Sequence, residues 1–236
     1  MSKKSTKPSR SHWKSFIAPA AGILAAVLVV VALNAEYFVA QFVYHFGNHR
    51  ANTAIVQTAS AEPADKPEEP KQVAPDPKVI IPVIGVDAPV VFGMTSTVEH
   101  DVQRALQDGV VHYADTAQPG EPGNGVYVGH SSNAPWVPGH YKFVFTALEN
   151  VNMDDTFFIN KDGKQYEYKV VSKKVIDPHD TSVLNGTDKP TATLITCTPV
   201  GTSLHRMVIL GEQIHPAPAK GSAKKPTTHA TVLPGN

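Results

Sequence analysis

The stretch TLITCTPVGTSLHR, residues 193–206, holds the single cysteine of the chain, Cys197. Thr193, Leu194, Ile195 and Thr196 are β-branched or apolar strand formers, and Pro199 and Gly201 follow closely. Cys197 therefore stands at the end of a strand, where the backbone turns away. Alternation puts Thr193, Ile195 and Cys197 on one face and Leu194 and Thr196 on the other. In RMVIL, which follows, Arg206, Val208 and Leu210 share a face. If the two strands pair antiparallel, Arg206 lies near Cys197 at the mouth of the loop 198–205. A guanidinium there can favour a thiolate or donate hydrogen bonds to an oxyanion. The plainer alternative is a buried structural thiol beside a surface charge, and the local pattern leaves both open.

A thiol nucleophile needs an acid/base partner, most often histidine. The chain has 11 histidines, so position has to choose among them. His12, His45 and His49 fall in or near an apolar N-terminal segment, and His215 and His229 in a polar tail. His100 is on a helix and His179 in a Pro/Asp loop. His112, His130, His140 and His205 remain. His130 ends the short strand VYVGH after Gly129 and precedes the polar run SSN, which exposes an imidazole at a barrel rim. His205 adjoins Arg206 but points to the opposite face. His130 is the favoured partner, and the order His, Cys, Arg differs from papain-like proteases, where the thiol comes first.

Of 236 residues, 21 are basic and 21 acidic. That balance argues against nucleic acid as a partner. Residues 1–15 form a basic N-terminus with Lys3, Lys4, Lys7, Arg10 and Lys14 and no acid. FIAPAAGILAAVLVVVAL, residues 16–33, carries no charge and is near the length of a transmembrane helix, with an interfacial extension to residue 46. A cleaved signal peptide is the alternative, but VALNAEY makes a poor cleavage site. An uncleaved anchor leaves the basic end cytoplasmic and the rest outside the cell. Residues 47–77 read as a linker rich in Pro, Ala and charge. Residues 78–214 are the globular domain, and 215–236 read as a disordered polar tail. A lone cysteine outside the membrane has no disulfide partner within the chain, so it must be buried or used.

The domain reads as mostly β. KVIIPVIGVDAPVVFG gives short strands with bends. One helix follows, with Ser96 and Glu99 at capping-box spacing, Val98, Val102, Ala105 and Leu106 on one face, and Gly109 as its stop. VYVGH, KFVFTAL, TFFIN, KQYEYKVVSKKVI after a KDG turn, TATLITC and HRMVILGEQI are the remaining strands. Many short strands with one early helix indicate a small closed barrel or sandwich. The continuous apolar run MVIL suits a strand covered on both sides.

The segments IPVIGVDAPV, ALQDGVVHY, QPGEPGNGVYVGHSS and TLITC, in this order and spacing, resemble sortases, bacterial cysteine transpeptidases of the outer membrane face. TLITC matches the family's T-L-x-T-C signature, the Gly-His after a short strand its histidine motif, and Arg206 the arginine of its final strand. The resemblance covers about residues 78–214. It implies a closed eight-stranded β-barrel with one or two short helices, behind an N-terminal transmembrane helix. It also implies Cys197 as nucleophile, His130 as general acid/base and Arg206 as oxyanion or substrate-carbonyl donor. Its implied partners are secreted proteins with a C-terminal sorting motif like Leu-Pro-x-Thr-Gly, and an amine acceptor on a cell-wall precursor or a pilin lysine. No cofactor is implied.

Pilus-polymerising members carry an aromatic-bearing Asp-Pro lid before the barrel, whereas Lys78 follows Asp76 and Pro77 here. There is also no long helical insertion before the cysteine strand. Both features favour an anchoring enzyme of class D, E or F type. Glu121, Asp154, Asp155, Asp177 and Asp180 lack ligand spacing, so no metal is expected. Two rivals stand beside the transpeptidase: an inactive tethered barrel that binds wall polymers or peptides, and a hydrolytic cysteine peptidase. An L,D-transpeptidase is excluded, because its His and Gly just before the cysteine are replaced by Leu-Ile-Thr.

Overall fold

The computed structural model describes residues 14–33, 71–134, 136–218 and 233–235. The basic residues 1–13, the apolar extension 34–46, the linker as far as residue 70 and tail residues 219–232 lie outside the described residues. Helix α1 runs Lys14–Leu33, about 30 Å at ~1.5 Å per residue. Its side chains are described over 21–32, twelve residues, all exposed. Within that described stretch no helix is long and apolar enough to cross a membrane.

The strands are β1 (Lys71–Gln72), β2 (Lys78–Ile81), β3 (Val86–Val91), β4 (Val110–His112), β5 (Gly123–Val128), β6 (Thr156–Lys161), β7 (Lys164–Ile176), β8 (Pro190–Thr198) and β9 (His205–His215). They follow the order β1-β7-β6-β2-β3-β4-β5-β8-β9, and β7 also pairs with β9. That last pairing closes β2 to β9 into an eight-stranded barrel. β1, expected as linker, is a two-residue edge strand on β7.

Two apolar clusters account for the alternation. Ala192 and Leu194 of β8 and Met207 and Ile209 of β9 join one with Val79, Ile81, Tyr127, Phe157 and Tyr168. Ile195 and Val208 join a second with Val102, Leu106, Val126, Val128 and Leu233. Both faces of β8 and β9 are therefore buried, which is why these strands read as unbroken apolar runs. Helix α2 (Glu99–Ala105) lies between the parallel pair β3 and β4 in the chain and contributes Val102 to the second cluster.

Three local expectations are corrected. The capping box is not formed: Val98 is the N-cap and makes no side-chain cap bond. Ser96 Oγ instead accepts from Val98 N at 3.2 Å and donates to the Asp101 carboxylate at 2.6 Å. KFVFTAL is not a strand, because its residues form turns leading to a 3₁₀ turn at Leu148–Asn150. Phe145, Thr146, Ala147 and Leu148 are buried in succession, a pattern that turns allow and alternation forbids. The tail also departs from expectation, since Leu233 and Pro234 are buried. Leu233 is an aliphatic side chain in a polar segment, and the second cluster takes it up. The KDG hairpin is as read, with Asp162 at φ 52° and Gly163 at φ 73°, the positive angles of a tight type I′ turn.

Candidate active site

Strand direction assembles the site. β5 and β8 are parallel, Val128 standing beside Ile195, so both strands end at the same rim. β9 is antiparallel to β8 and begins there, with Arg206 directly opposite Cys197. Beyond β5, Gly129 N donates to Ile195 O at 3.1 Å, and Thr196 Oγ1 donates to Gly129 O at 2.7 Å. Two residues past Val128, that register brings His130 level with Cys197, two residues past Ile195. Cys197 thus lies between Arg206, its partner on β9, and the segment just past β5 that carries His130.

All three side chains are buried, with Cys197 at 4%, His130 at 3% and Arg206 at 3% exposure. Arg206 is therefore not a surface charge, and His130 is not the exposed imidazole that its place before the polar run SSN suggests. Its Nη1 donates to Ser203 O at 3.0 Å and His205 O at 3.1 Å, and its Nη2 donates to Leu233 O at 3.0 Å. Its Nε has no partner among the described residues. The guanidinium is fixed by the carbonyls of its own loop and offers its remaining donors to whatever lies along the groove.

His130 has a directional neighbour in Asn133. Ala134 N donates to Asn133 Oδ1 at 2.7 Å, which settles the amide orientation and leaves Nδ2 facing His130 Nε2 at 3.3 Å. In that geometry Nδ2 donates and Nε2 accepts, so the neutral imidazole carries its proton on Nδ1. Gly201 N donates to Ser132 Oγ at 3.0 Å, joining the loop after His130 to the β8–β9 loop. Between these loops lies a cavity of about 480 Å³ lined by Ser132, Asn133, Ala134, Phe143, Gly201, Thr202 and Ser203.

The other shortlisted histidines are elsewhere. His112 is buried with its ring 5.0 Å from that of Phe92 and 5.1 Å from that of Tyr127. Its Nε2 lies 2.9 Å from Ala117 O, and burial holds its pKa below the ordinary value. His140 and His205 are exposed. His205 pairs with Thr198 rather than Cys197 in the ladder.

Sequence reasoning missed the residues on the Arg206 side of the rim. Glu99 Oε1 accepts from Gly235 N at 3.1 Å and from Gln103 Nε2 at 2.7 Å, and Gln103 Nε2 also bonds to Gly235 O. The available signal was compositional: Val232 and Leu233 are the only branched aliphatics after Ile214.

The sortase domain matches residues 79–214 as a family. Sortase D of Bacillus subtilis (strain 168) is 28% identical over 138 residues, 57% of this chain and 61% of that protein. YwpE of the same strain is 34% identical over 85 residues, 35% of this chain and 83% of that one. Among solved structures, the lid mutant of Streptococcus agalactiae sortase C1 matches at 31% identity with a TM-score of 0.49, over 61% of this chain and 71% of that chain. The chain spans about three fifths of Sortase D's length. With the family matched over more than half its residues, the chain belongs to the sortases, a family of cysteine transpeptidases.

Proposed function

We propose that this chain is a membrane-anchored sortase that joins secreted proteins to an amine through a thioacyl-enzyme on Cys197. What supports the reading is the rim itself, where Cys197 stands opposite a fixed Arg206 on β9 and the segment with His130 follows β5, the neighbour of β8 on its other side. Cys197 gives its proton to His130, and its sulfur attacks the Thr–Gly carbonyl of a Leu-Pro-x-Thr-Gly-like motif, forming a C–S bond. Arg206 donates to the resulting oxyanion. His130 protonates the glycine nitrogen as the C–N bond breaks, and the glycine amine leaves. An acceptor amine then attacks the thioester, its proton passes to His130, and the amide forms with release of the thiolate. The cavity between the His130 and β8–β9 loops suits entry of the amine, since one of its lining residues, Asn133, reaches His130 Nε2.

Helix α1 supports anchoring. KSFIAPAAGILAAVLVVVAL is uncharged after Lys14 and apolar all round, a pattern that belongs to buried or membrane-spanning helices rather than half-exposed ones. With the basic residues 1–13 on the cytoplasmic side, the barrel lies outside the cell. Asp76 and Pro77 followed by Lys78 rather than an aromatic residue favour an anchoring enzyme over a pilin polymerase.

Intact-protein mass spectrometry of the full chain in detergent tests the reading. The mixture contains a Leu-Pro-x-Thr-Gly peptide and a diamine, beside a Cys197→Ala control. The expected result is an acyl adduct or amine-exchanged peptide, absent in the control. Hydrolysed peptide alone, whatever the amine concentration, makes the chain a peptidase. Neither product across a panel of sorting peptides leaves a binding module and overturns the proposal.

A further inference from the structure

Residues 233–235 read Leu-Pro-Gly, and they lie on the Arg206 side of the rim, between α2 and the loop at Pro178. Leu233 N donates to Pro178 O at 2.7 Å, and Leu233 O accepts from Arg206 Nη2 at 3.0 Å. Gly235 N donates to Glu99 Oε1 at 3.1 Å, and Gly235 O accepts from Gln103 Nε2. Every one of these bonds is to the segment's backbone, the way a groove holds an extended peptide of any sequence. Side-chain selection falls to Leu233, which is 1% exposed and belongs to the cluster of Val102, Leu106, Val183, Ile195 and Val208. Ile195 and Val208 share their strand faces with Cys197 and Arg206 by alternation. Leu233 therefore lies on the face toward which the thiol and the guanidinium point.

We infer that the chain's own Leu233–Pro234–Gly235 segment is an intramolecular pseudosubstrate, its Leu233 carbonyl held by Arg206 where the scissile carbonyl of a sorting peptide would sit, and that it competes with that peptide. The inference rests on the proposed transpeptidase reading for the identity of the competitor, but not for the docking. Three observations join in it. The segment carries a Leu-Pro pair, as the motif does, with the Leu rather than the Thr carbonyl at Arg206. Arg206, the residue assigned to the substrate carbonyl, is already bonded to a carbonyl of the segment. Glu99 and Gln103 of α2 hold its far end, so an incoming peptide meets an occupied groove along its length. A segment of the same chain competes at a high effective concentration. A groove free only about one tenth of the time raises the apparent dissociation constant of an external peptide about tenfold. The block is competitive, so it acts on KM and leaves kcat alone.

The experiment uses the full chain in detergent, as wild type, Leu233→Asp and Leu233→Met. A charged Leu233→Asp side chain leaves the apolar cluster and releases the segment, and Leu233→Met keeps it docked. In transfer from a Leu-Pro-x-Thr-Gly peptide to a diamine, Leu233→Asp should lower KM by about tenfold with kcat unchanged, and Leu233→Met should match wild type. In a second arm, a fluorescent peptide of residues 230–236 is titrated by anisotropy. It should bind Leu233→Asp about tenfold more tightly than wild type, and the unlabelled peptide added in trans should raise the KM of Leu233→Asp toward the wild-type value. A peptide that binds both proteins equally, or neither, overturns the inference, as does an unchanged KM in an active enzyme. If no variant turns over, the transpeptidase reading fails while tighter binding to Leu233→Asp than to wild type still upholds the docking. Circular dichroism and melting of each variant separate release of the segment from loss of the barrel.

Discussion

Cys197 and Arg206 face each other as direct partners in the β8–β9 ladder, and the guanidinium is locked at that place by the carbonyls of Ser203 and His205. The pairing gives the charge a fixed height at the rim instead of leaving it to a flexible side chain. Two planar nitrogens are committed to the loop or the groove, and a single ammonium reproduces neither the fork nor its aim.

Arg206→Lys is therefore expected to keep the barrel and the charge and to lose rate. Removing one oxyanion donor costs about 10²–10³-fold in kcat in well-studied acyl-transfer enzymes, and a loss of roughly that size is expected here. Transfer kinetics beside a melting curve check it. A fully active lysine variant would make Arg206 a structural residue of the loop.

The glycine before His130 is required by packing. A Cβ on Gly129 would lie 2.5 Å from Cδ2 and 2.8 Å from Cε2 of Phe145, a fully buried ring. Phe145 N also donates to His130 O at 2.9 Å, tying the two segments together. Gly129→Ala must move the ring or the strand end. Overpacking of this kind costs about 1–3 kcal/mol, visible as a fall in Tm. Because the displaced backbone carries His130, transfer should fall further than the folded fraction does. Equal losses of activity and folded protein would limit the glycine to a packing role.

These two sites show what was legible from residues alone. The β8–β9 hairpin could be read because alternation and loop length fix which residues face each other, and Arg206 opposite Cys197 follows from that. The His130 level followed less directly, since it depends on a parallel pairing between strands some sixty residues apart. KFVFTAL was misread because its apolar residues are buried consecutively, and only the packing of Phe145 under Gly129 explains that. Ser96 and Glu99 have capping-box spacing, yet Glu99 is turned toward Gly235, a contact over 136 positions that no local pattern encodes. The same holds for the burial of Leu233.

Asn133 is expected to act as a positioning residue for His130. With its Oδ1 engaged by Ala134 N, its Nδ2 faces His130 Nε2. Asn133→Ala removes that donor without touching Cys197 or Arg206. Proton–nitrogen correlation of the His130 ring should show the Nδ1–H tautomer in wild type and a mixture in the variant. Transfer kinetics should show kcat down about tenfold, a part of the 10²–10⁴ that a positioned acid/base supplies, with KM unchanged. An unchanged tautomer and rate would remove Asn133 from the site.

His112 predicts the acid sensitivity of the fold. Burial lowers its pKa from the ordinary 6.5, with Lys161 opposing protonation, while the Ala117 carbonyl and Glu121 favour it. Between the lowered folded value and about 6.5, the unfolded chain binds the proton more readily than the folded one. Stability then rises with pH across that window. The contribution is intact above about 6.5 and is lost progressively as pH falls toward the folded value. His112→Gln keeps an amide donor for Ala117 O and cannot titrate. Its Tm at pH 7.5 should fall somewhat below wild type, because the ring packing against Phe92 and Tyr127 is lost. Its further drop between pH 7.5 and 5 should be smaller than wild type's. Parallel losses in the two proteins would assign the acid sensitivity in that window to other groups, though not to Asp177 and Asp180. Hydrogen bonds from His179 and Ser182 respectively hold those carboxylates below their ordinary values, so they release stability only at more acidic pH, below about 4. A melting series from pH 7.5 to 3 therefore separates the histidine from the carboxylates by the pH at which each slope appears.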